Sequence, residues 1–324
     1  MKIQALTQAI ITAAFAVFAS STTAQTYPQR PITLIIPSDP GGSLDITGRL
    51  LGQYLPPLLG QTVIVENVPG AGNAVGTGRV AKAKPDGYTL LLGASSGVVI
   101  NPLVVKNPTY DGIKELTAVS LLGLSYVVIA VGPSMKATTF KDMIAMAKEN
   151  SGKYSYGTPG IGSVNHLGGE LMNAIAGVST VHVPYKGAAP AINDLMGGRI
   201  EFAPMTSVSV ASLYQSGKVR ILASMSEQRL AVFPDVPTTA EAGFPKMTMS
   251  TFNGLFAPAA TPRPIINQLH AATSKVLADS RFQGALEKTG QLPPPPRSPE
   301  QTQRYVADFS ELLKPVIKAA NISE

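Results

Sequence analysis

With 324 residues, of which 44% are hydrophobic and 14% charged, the chain has apolar material for two domains or one large one, which excludes a disordered protein. It has no cysteine, which excludes a disulfide framework and thiol chemistry. The net charge of +6 comes from scattered basic residues. That balance helps draw anions, but without a Lys/Arg cluster or interleaved aromatics it offers no nucleic-acid surface.

The first element is a targeting segment. Lys2 supplies a positive start, residues 9–19 are a short apolar stretch, and residues 20–24 are small and polar, ending in Thr22-Thr23-Ala24. This order predicts a secretory signal peptide over residues 1–24, cleaved near Ala24. The apolar run is shorter than the roughly 20 residues needed to span a bilayer. The expected product is an exported soluble chain, with a net charge of +5 once Lys2 is lost.

Two prolines make residues 27–31 an extended lead-in. Residues 32–36 are a continuous apolar run, as in a buried parallel strand, and stop at Pro37. A loop through Asp39-Pro40-Gly41-Gly42 leads into a predicted helix over 43–59, with Ser43 as N-cap and Asp45 as an acidic first-turn residue. The unit repeats: a strand at 62–66, a glycine-rich turn at 69–78, a helix at 75–82, and a strand at 88–92 that stops at Gly93-Ala94-Ser95-Ser96-Gly97. Residues 116–131 read as a strand pair or one long strand, crossing between lobes before Pro133.

A second set follows. Helices are predicted at 139–149, 164–176 and 188–196, and strands at 154–157, 180–183, 200–203 and 221–224. Residues 251–258 lead back to the first set. Terminal helices at 264–278 and 299–320 flank a stiff proline connector, 293–296. Alternating strands and helices predict an α/β protein with mainly parallel sheets. The two βα sets predict two lobes with a cleft between them: residues 25–125 with 250–324, and residues 126–249.

The recurrent feature is a glycine-rich loop between a strand and a helix: Gly41-Gly42-Ser43, Gly160-Ile161-Gly162-Ser163 and Lys186-Gly187. A helix start offers free N–H groups and a positive dipole end, which bind carboxylate or phosphate. A glycine there serves a tight turn equally well. The hydroxyl-rich stretches Ser95-Ser96 and Thr206-Ser207-Val208-Ser209 follow apolar strands and can donate to a carboxylate, or simply form turns.

Three patterns in the chain have the look of catalytic or cofactor motifs. Gly70-Ala71-Gly72-Asn73-Ala74-Val75-Gly76 has a dinucleotide-like spacing, but the following strand carries no acidic residue for a ribose. Gly93 to Gly97 matches G-x-S-x-G, yet Val98-Val99-Ile100-Asn101-Pro102 is a poor helix start for a hydrolase. His166 and His182 read as packed residues and His270 as a surface one. There is no Cys/His cluster with metal-ligand spacing. No cofactor, metal or catalytic residue is expected; a secreted serine hydrolase using Ser95 is the rival reading.

Several stretches together resemble the substrate-binding receptors of tripartite tricarboxylate transporters, the Bug family. They are Arg30-Pro31-Ile32, Pro40-Gly41-Gly42-Ser43-Leu44-Asp45, Val65-Glu66-Asn67 and Pro85-Asp86-Gly87-Tyr88-Thr89-Leu90-Leu91. Further on come Gly162-Ser163 with His166-Leu167, and His182-Val183-Pro184-Tyr185-Lys186-Gly187. Pro234-Asp235-Val236-Pro237-Thr238 and Gly254-Leu255-Phe256-Ala257-Pro258 complete the set.

The resemblance implies a periplasmic, type II-like two-lobe binding protein. It would capture a small organic acid and pass it, as a monomer, to large and small membrane subunits. The binding loops it implies run through residues 40–45 (Gly41, Gly42, Ser43, Asp45), 95–96 (Ser95, Ser96), 158–166 (Thr158, Gly162, Ser163, His166) and 185–187 (Lys186). Many relatives carry an aspartate or other polar residue where this chain has Met205, followed by Thr206. An apolar Met205 favours a carboxylate without an amine, and an aromatic acid of the phthalate type is the ligand expected. The same module can present its closed form to a signalling kinase instead of a permease.

Overall fold

A computed structural model describes residues 27–41, 43–185, 187–288, 291–319 and 322; the predicted signal peptide, Gly42, Lys186 and the side chain of Ser43 lie outside the described residues. Nine strands form one continuous curled sheet: β1 Ile32–Ile36, β2 Val63–Asn67, β3 Thr89–Ala94, β4 Leu116–Val131, β5 Ser155–Thr158, β6 Val181–Pro184, β7 Phe202–Thr206, β8 Arg220–Ser224 and β9 Ser250–Pro258. Their order is β2-β1-β3-β9-β4-β7-β5-β6, with β8 also on β4.

The outer strands pair in parallel, β1 with β2 and β3, and β5 with β6 and β7. The two crossing strands, β4 and β9, make every pairing antiparallel. The expected parallel arrangement thus holds among the outer strands of each half, and the sheet becomes mixed at every pairing made by β4 or β9.

Residues 116–131 are one strand of sixteen residues. Its register with β9 runs to Tyr126 opposite Ser250, and its register with β7 starts at Val127 opposite Thr206. The strand is buried almost throughout, which explains its near-continuous apolar sequence.

Three apolar clusters follow this plan. One packs β1 and β3 against the helices Ser43–Tyr54 and Arg263–Ala278, centred on Leu34, Leu51 and Leu269. One fills the second lobe around Val128, Met205 and Phe233. The largest runs from Leu91 through Val127 to Phe202 and takes in Val306, Phe309 and Leu313 of the terminal helix Pro299–Ala319.

Helix starts follow local chemistry. Thr139 caps Phe140–Glu149 by accepting the Asp142 N–H at 3.1 Å, and Ser163 caps Val164–Ala176 by accepting the His166 N–H at 3.2 Å. The helix expected over 43–59 is two: Ser43–Tyr54 ends, and Pro56 opens a short turn, Pro56–Leu59.

Two helices escaped the sequence reading, Ser207–Gln215 and Ser280–Lys288. In the first, Ser-Val-Ser-Val alternation masks any helical period and neither residue is a strong helix former. The expectation that no helix follows Gly93 to Gly97 is corrected as well. A π-helical turn, Ser96–Ile100, runs directly into Asn101–Val104. Val98, Val99 and Ile100 are fully buried, so packing overrides their weak helix propensity.

Candidate functional site

Where the two halves of the sheet share β4 and β9, their strand ends border a cavity of about 290 Å³. The first lobe contributes Ser38 beyond β1, Leu44 in the first turn of its helix, Asn73, and Ala94 at the end of β3. Gly123 and Ser125 of β4 and Thr251, Phe252 and Asn253 of β9 line it where the lobes join, with Gln291 beside them. The second lobe contributes Thr206, Val208 and Ser209, the N-cap and first turn of Ser207–Gln215. None of these lining residues carries a charged side chain.

Hydrogen bonds hold this lining in place. Ser95 and Thr251 hydroxyls meet at 2.7 Å, joining the end of β3 to β9. Asn253 Nδ2 donates to Gln291 Oε1 at 2.7 Å, and Gln291 Nε2 donates to Thr47 Oγ1 at 3.0 Å. Ser125 and Ser207 hydroxyls lie 3.0 Å apart, and Thr206 and Ser209 hydroxyls 2.7 Å. Ser38 Oγ is buried without a hydrogen-bond partner among the described residues, so a ligand oxygen there would satisfy it.

Two helix starts border the cleft from opposite lobes, Ser43–Tyr54 through Leu44 and Ser207–Gln215 through Val208 and Ser209. A helix start offers first-turn N–H groups and a positive dipole end, which favour anions without a cationic side chain. Apolar surface from Leu44, Val208 and Phe252 suits a carbon skeleton between them.

The residues singled out from the sequence fall into distinct positions. Thr206 lines the cleft. Ser95 is almost fully buried just behind it, and Ser96 Oγ accepts a 2.7 Å bond from the lining residue Asn73. Asp45 is a buried strut. It accepts the Gly41 N–H at 2.9 Å, Arg49 Nε at 2.9 Å and Asn67 Nδ2 at 2.9 Å, while Asn67 also donates to Ser38 O. Burial works to raise its pKa, but the bonds from Arg49, Gly41 and Asn67 outweigh that and hold the carboxyl below its ordinary range.

Thr158, Gly162, Ser163 and His166 form a separate cluster beyond β5. Thr158 is fully buried with Oγ1 2.6 Å from His182 Nε2, and the Gly162 N–H donates to His166 Nδ1 at 3.2 Å. Ser163 Oγ donates to Gly160 O at 2.7 Å. None of the four lines the cavity.

Met205 requires a correction. It is fully buried in the second lobe's core, because alternation along β7 turns it away from the face that presents Thr206. No ligand ring reaches it, and the argument for an aromatic acid loses this support.

Ser209 belongs to the hydroxyl stretch 206–209 that the sequence points to, whereas Asn73, Ser125, Thr251, Asn253 and Gln291 were missed. Asn253 carried a usable signal, a polar residue standing directly before the buried run Gly254-Leu255-Phe256-Ala257-Pro258. The others owe their place to tertiary assembly.

The histidines do not build a hydrolytic site. His166 and His182 stack on each other, and His270 is not a plain surface residue: its Nδ1 lies 2.9 Å from Val119 O and 2.9 Å from Ser120 Oγ. The partner of Ser95 Oγ is Thr251. Among the described residues no three metal-ligating side chains converge, and no helix is long and apolar enough to cross a membrane.

A two-lobe α/β fold joined by crossing strands, with a cleft between helix starts whose described lining carries no charged side chain, defines a solute-binding protein. The sequence profile described as "Tripartite tricarboxylate transporter family receptor" matches residues 48–322. The chain belongs to this family of receptors, which bind small organic carboxylates and work with membrane transporters.

Three solved structures are similar to it. The periplasmic binding protein BugD is 32% identical with a TM-score of 0.74, over 92% of this chain and 99% of BugD. MatC of Rhodopseudomonas palustris with bound malate is 30% identical with a TM-score of 0.75, over 90% and 100%. The R. palustris protein Rpa4515 with adipate is 30% identical with a TM-score of 0.76, over 92% and 99%.

Proposed function

We propose that this receptor captures a short dicarboxylate in the cleft and delivers it to a large and a small integral membrane subunit. The observation that carries this is the pair of helix starts bordering one cavity from opposite lobes, its described lining without a charged side chain. Each can take one carboxylate, while Leu44, Val208 and Phe252 flank the carbon chain. Malate and adipate in two similar proteins support the same ligand class. A phthalate-type acid also presents two carboxylates, and it stays in the class on that ground rather than through Met205.

The protein works as a binding monomer and not as an enzyme. The signal peptide, residues 1–24, directs it to the periplasm and is removed near Ala24. Residues 25–125 with 250–324 form one lobe and residues 126–249 the other; the change of β4 partners at Tyr126 supports this division. Ligand bridging both helix starts favours the closed form, which the permease reads.

A thermal-shift screen with malate, adipate, phthalate, benzoate and glutamate tests the reading. A dicarboxylate at a hundred times its Kd should add about 2.7 kcal/mol of stability. Val208→Trp, which fills the cleft, should remove that shift. Stabilisation by benzoate with no response to any of the four dicarboxylates would overturn it.

A further inference from the structure

A second cavity of about 590 Å³ lies in the first lobe and shares no lining residue with the cleft. Helix Arg263–Ala278 contributes His270, Ser274 and Leu277, β4 contributes Ser120 and Leu121, and the chain from Pro293 to Arg297 forms another wall. Four consecutive prolines fix φ along that wall. It is anchored at one end where Leu292 exchanges backbone hydrogen bonds of 2.8 and 2.9 Å with Leu124, and at the other where Pro299 starts the terminal helix. A wall held at both ends does not fold into the space beside it.

The chemistry of the lining is amphipathic. Leu121, Leu277, Ala278 and the prolines are apolar. Arg297 supplies a cation that lies 4.7 Å over the Tyr305 ring, with a buried Nη1 that has no hydrogen-bond partner among the described residues. Arg297 also borders a smaller cavity that includes Tyr305, Glu227 and Asp308, and among the described residues it forms no salt bridge with either carboxylate. Arg297 is the one Arg, Lys, Asp or Glu among the described lining residues, so an anionic group entering the cavity meets a charge-assisted partner there. Ser274 and Ser298 add hydroxyls to the same lining.

We infer that this cavity is a second binding site, distinct from the cleft, for a monoanion with an apolar body, such as a medium-chain or aryl carboxylate. The anionic group pairs with Arg297, and the apolar body packs against Leu121, Leu277 and the prolines.

Calorimetric titration of the full chain with octanoate, and with neutral octanol beside it, tests the assignment. Octanoate should bind about tenfold more tightly than octanol, the worth of one charge-assisted hydrogen bond. Arg297→Gln should bring octanoate down to the level of octanol. Leu277→Trp should abolish both, and Ser274→Trp, at an exposed wall position, should do the same if Leu277→Trp fails to fold. Val208→Trp should leave octanoate binding intact. No heat from octanoate in the millimolar range, or binding lost in Val208→Trp and kept in Ser274→Trp, would overturn the inference.

Discussion

The imidazole rings of His166 and His182 stack with centroids 3.8 Å apart and planes 13° from parallel. His166 Nδ1 accepts the Gly162 N–H, and His182 Nε2 meets Thr158 Oγ1. Burial brings both pKa values down to about 4; for His182 the neighbouring His166 pushes the same way and Glu170 opposes. An unfolded histidine titrates near 6.5, so between about pH 6.5 and 4 the unfolded chain binds more protons than the native one.

Stability is therefore full above that window and lost as pH falls through it, by a few kcal/mol for the pair. Urea unfolding near pH 7 and near pH 5 measures this. His166→Asn keeps an acceptor for Gly162 but removes one titrating ring, so its midpoint should depend less on pH. Equal pH dependence in the two proteins would rule out this source.

Asp45 gives a second, separate pH effect. Its pKa is lowered in the native state, so its contribution is present above an unfolded value near 3.9 and is lost as pH falls below that. Asp45→Asn puts an amide donor among groups that all donate, and should cost about 2 kcal/mol at neutral pH. The exposed half of the pair, Arg49, accounts for little of that. Because Asp45 also positions Gly41 and, through Asn67, Ser38, ligand affinity should fall with it. Unchanged stability and affinity by calorimetry would show the strut to be dispensable.

Ser95→Ala separates a receptor from a hydrolase. The variant loses its side of the bond to Thr251 and should unfold about 1 kcal/mol more easily. Neither protein should hydrolyse p-nitrophenyl acetate above background. An esterase rate in the wild-type protein that Ser95→Ala abolishes would contradict this.

Gly123 and Gln291 form a tight pair. A Cβ on Gly123 would stand 2.2 Å from Gln291 Oε1. Gly123→Ala should displace Gln291 from Asn253, cost roughly 1–3 kcal/mol by overpacking, and weaken ligand binding. Gln291→Ala in the same protein should recover part of the lost stability but not the affinity. Additive costs in that double-mutant cycle would show that the two residues do not couple.

Much of this architecture was legible in the sequence. The apolar runs of β1, β3 and β4 are buried on both faces, so their pattern survives any tertiary context. The site was less legible. Asp45 stood out as an acid at a helix start, but only its three bonded neighbours, one of them Asn67 from another strand, make it a strut. Gln291 lies far along the chain from Thr47 and Asn253, and no local pattern brings them together. The helix Ser207–Gln215 was hidden by alternation, and with it the second lobe's helix start at the cleft. Met205 was misread because a family position fixes where a residue lies along a strand, and the face it takes needs the register as well.

A cleft whose described lining offers amide, hydroxyl and apolar groups but no charged side chain has a consequence for how it responds to salt. Ion pairs weaken as dissolved salt screens them, whereas short contacts to dipoles in a closed, dry site are touched far less. The space outside the inner membrane follows the salinity of the surroundings, and this receptor's grip should stay nearly constant across that range. Only the long-range approach of the anion, drawn by the net positive charge, should slow as salt rises.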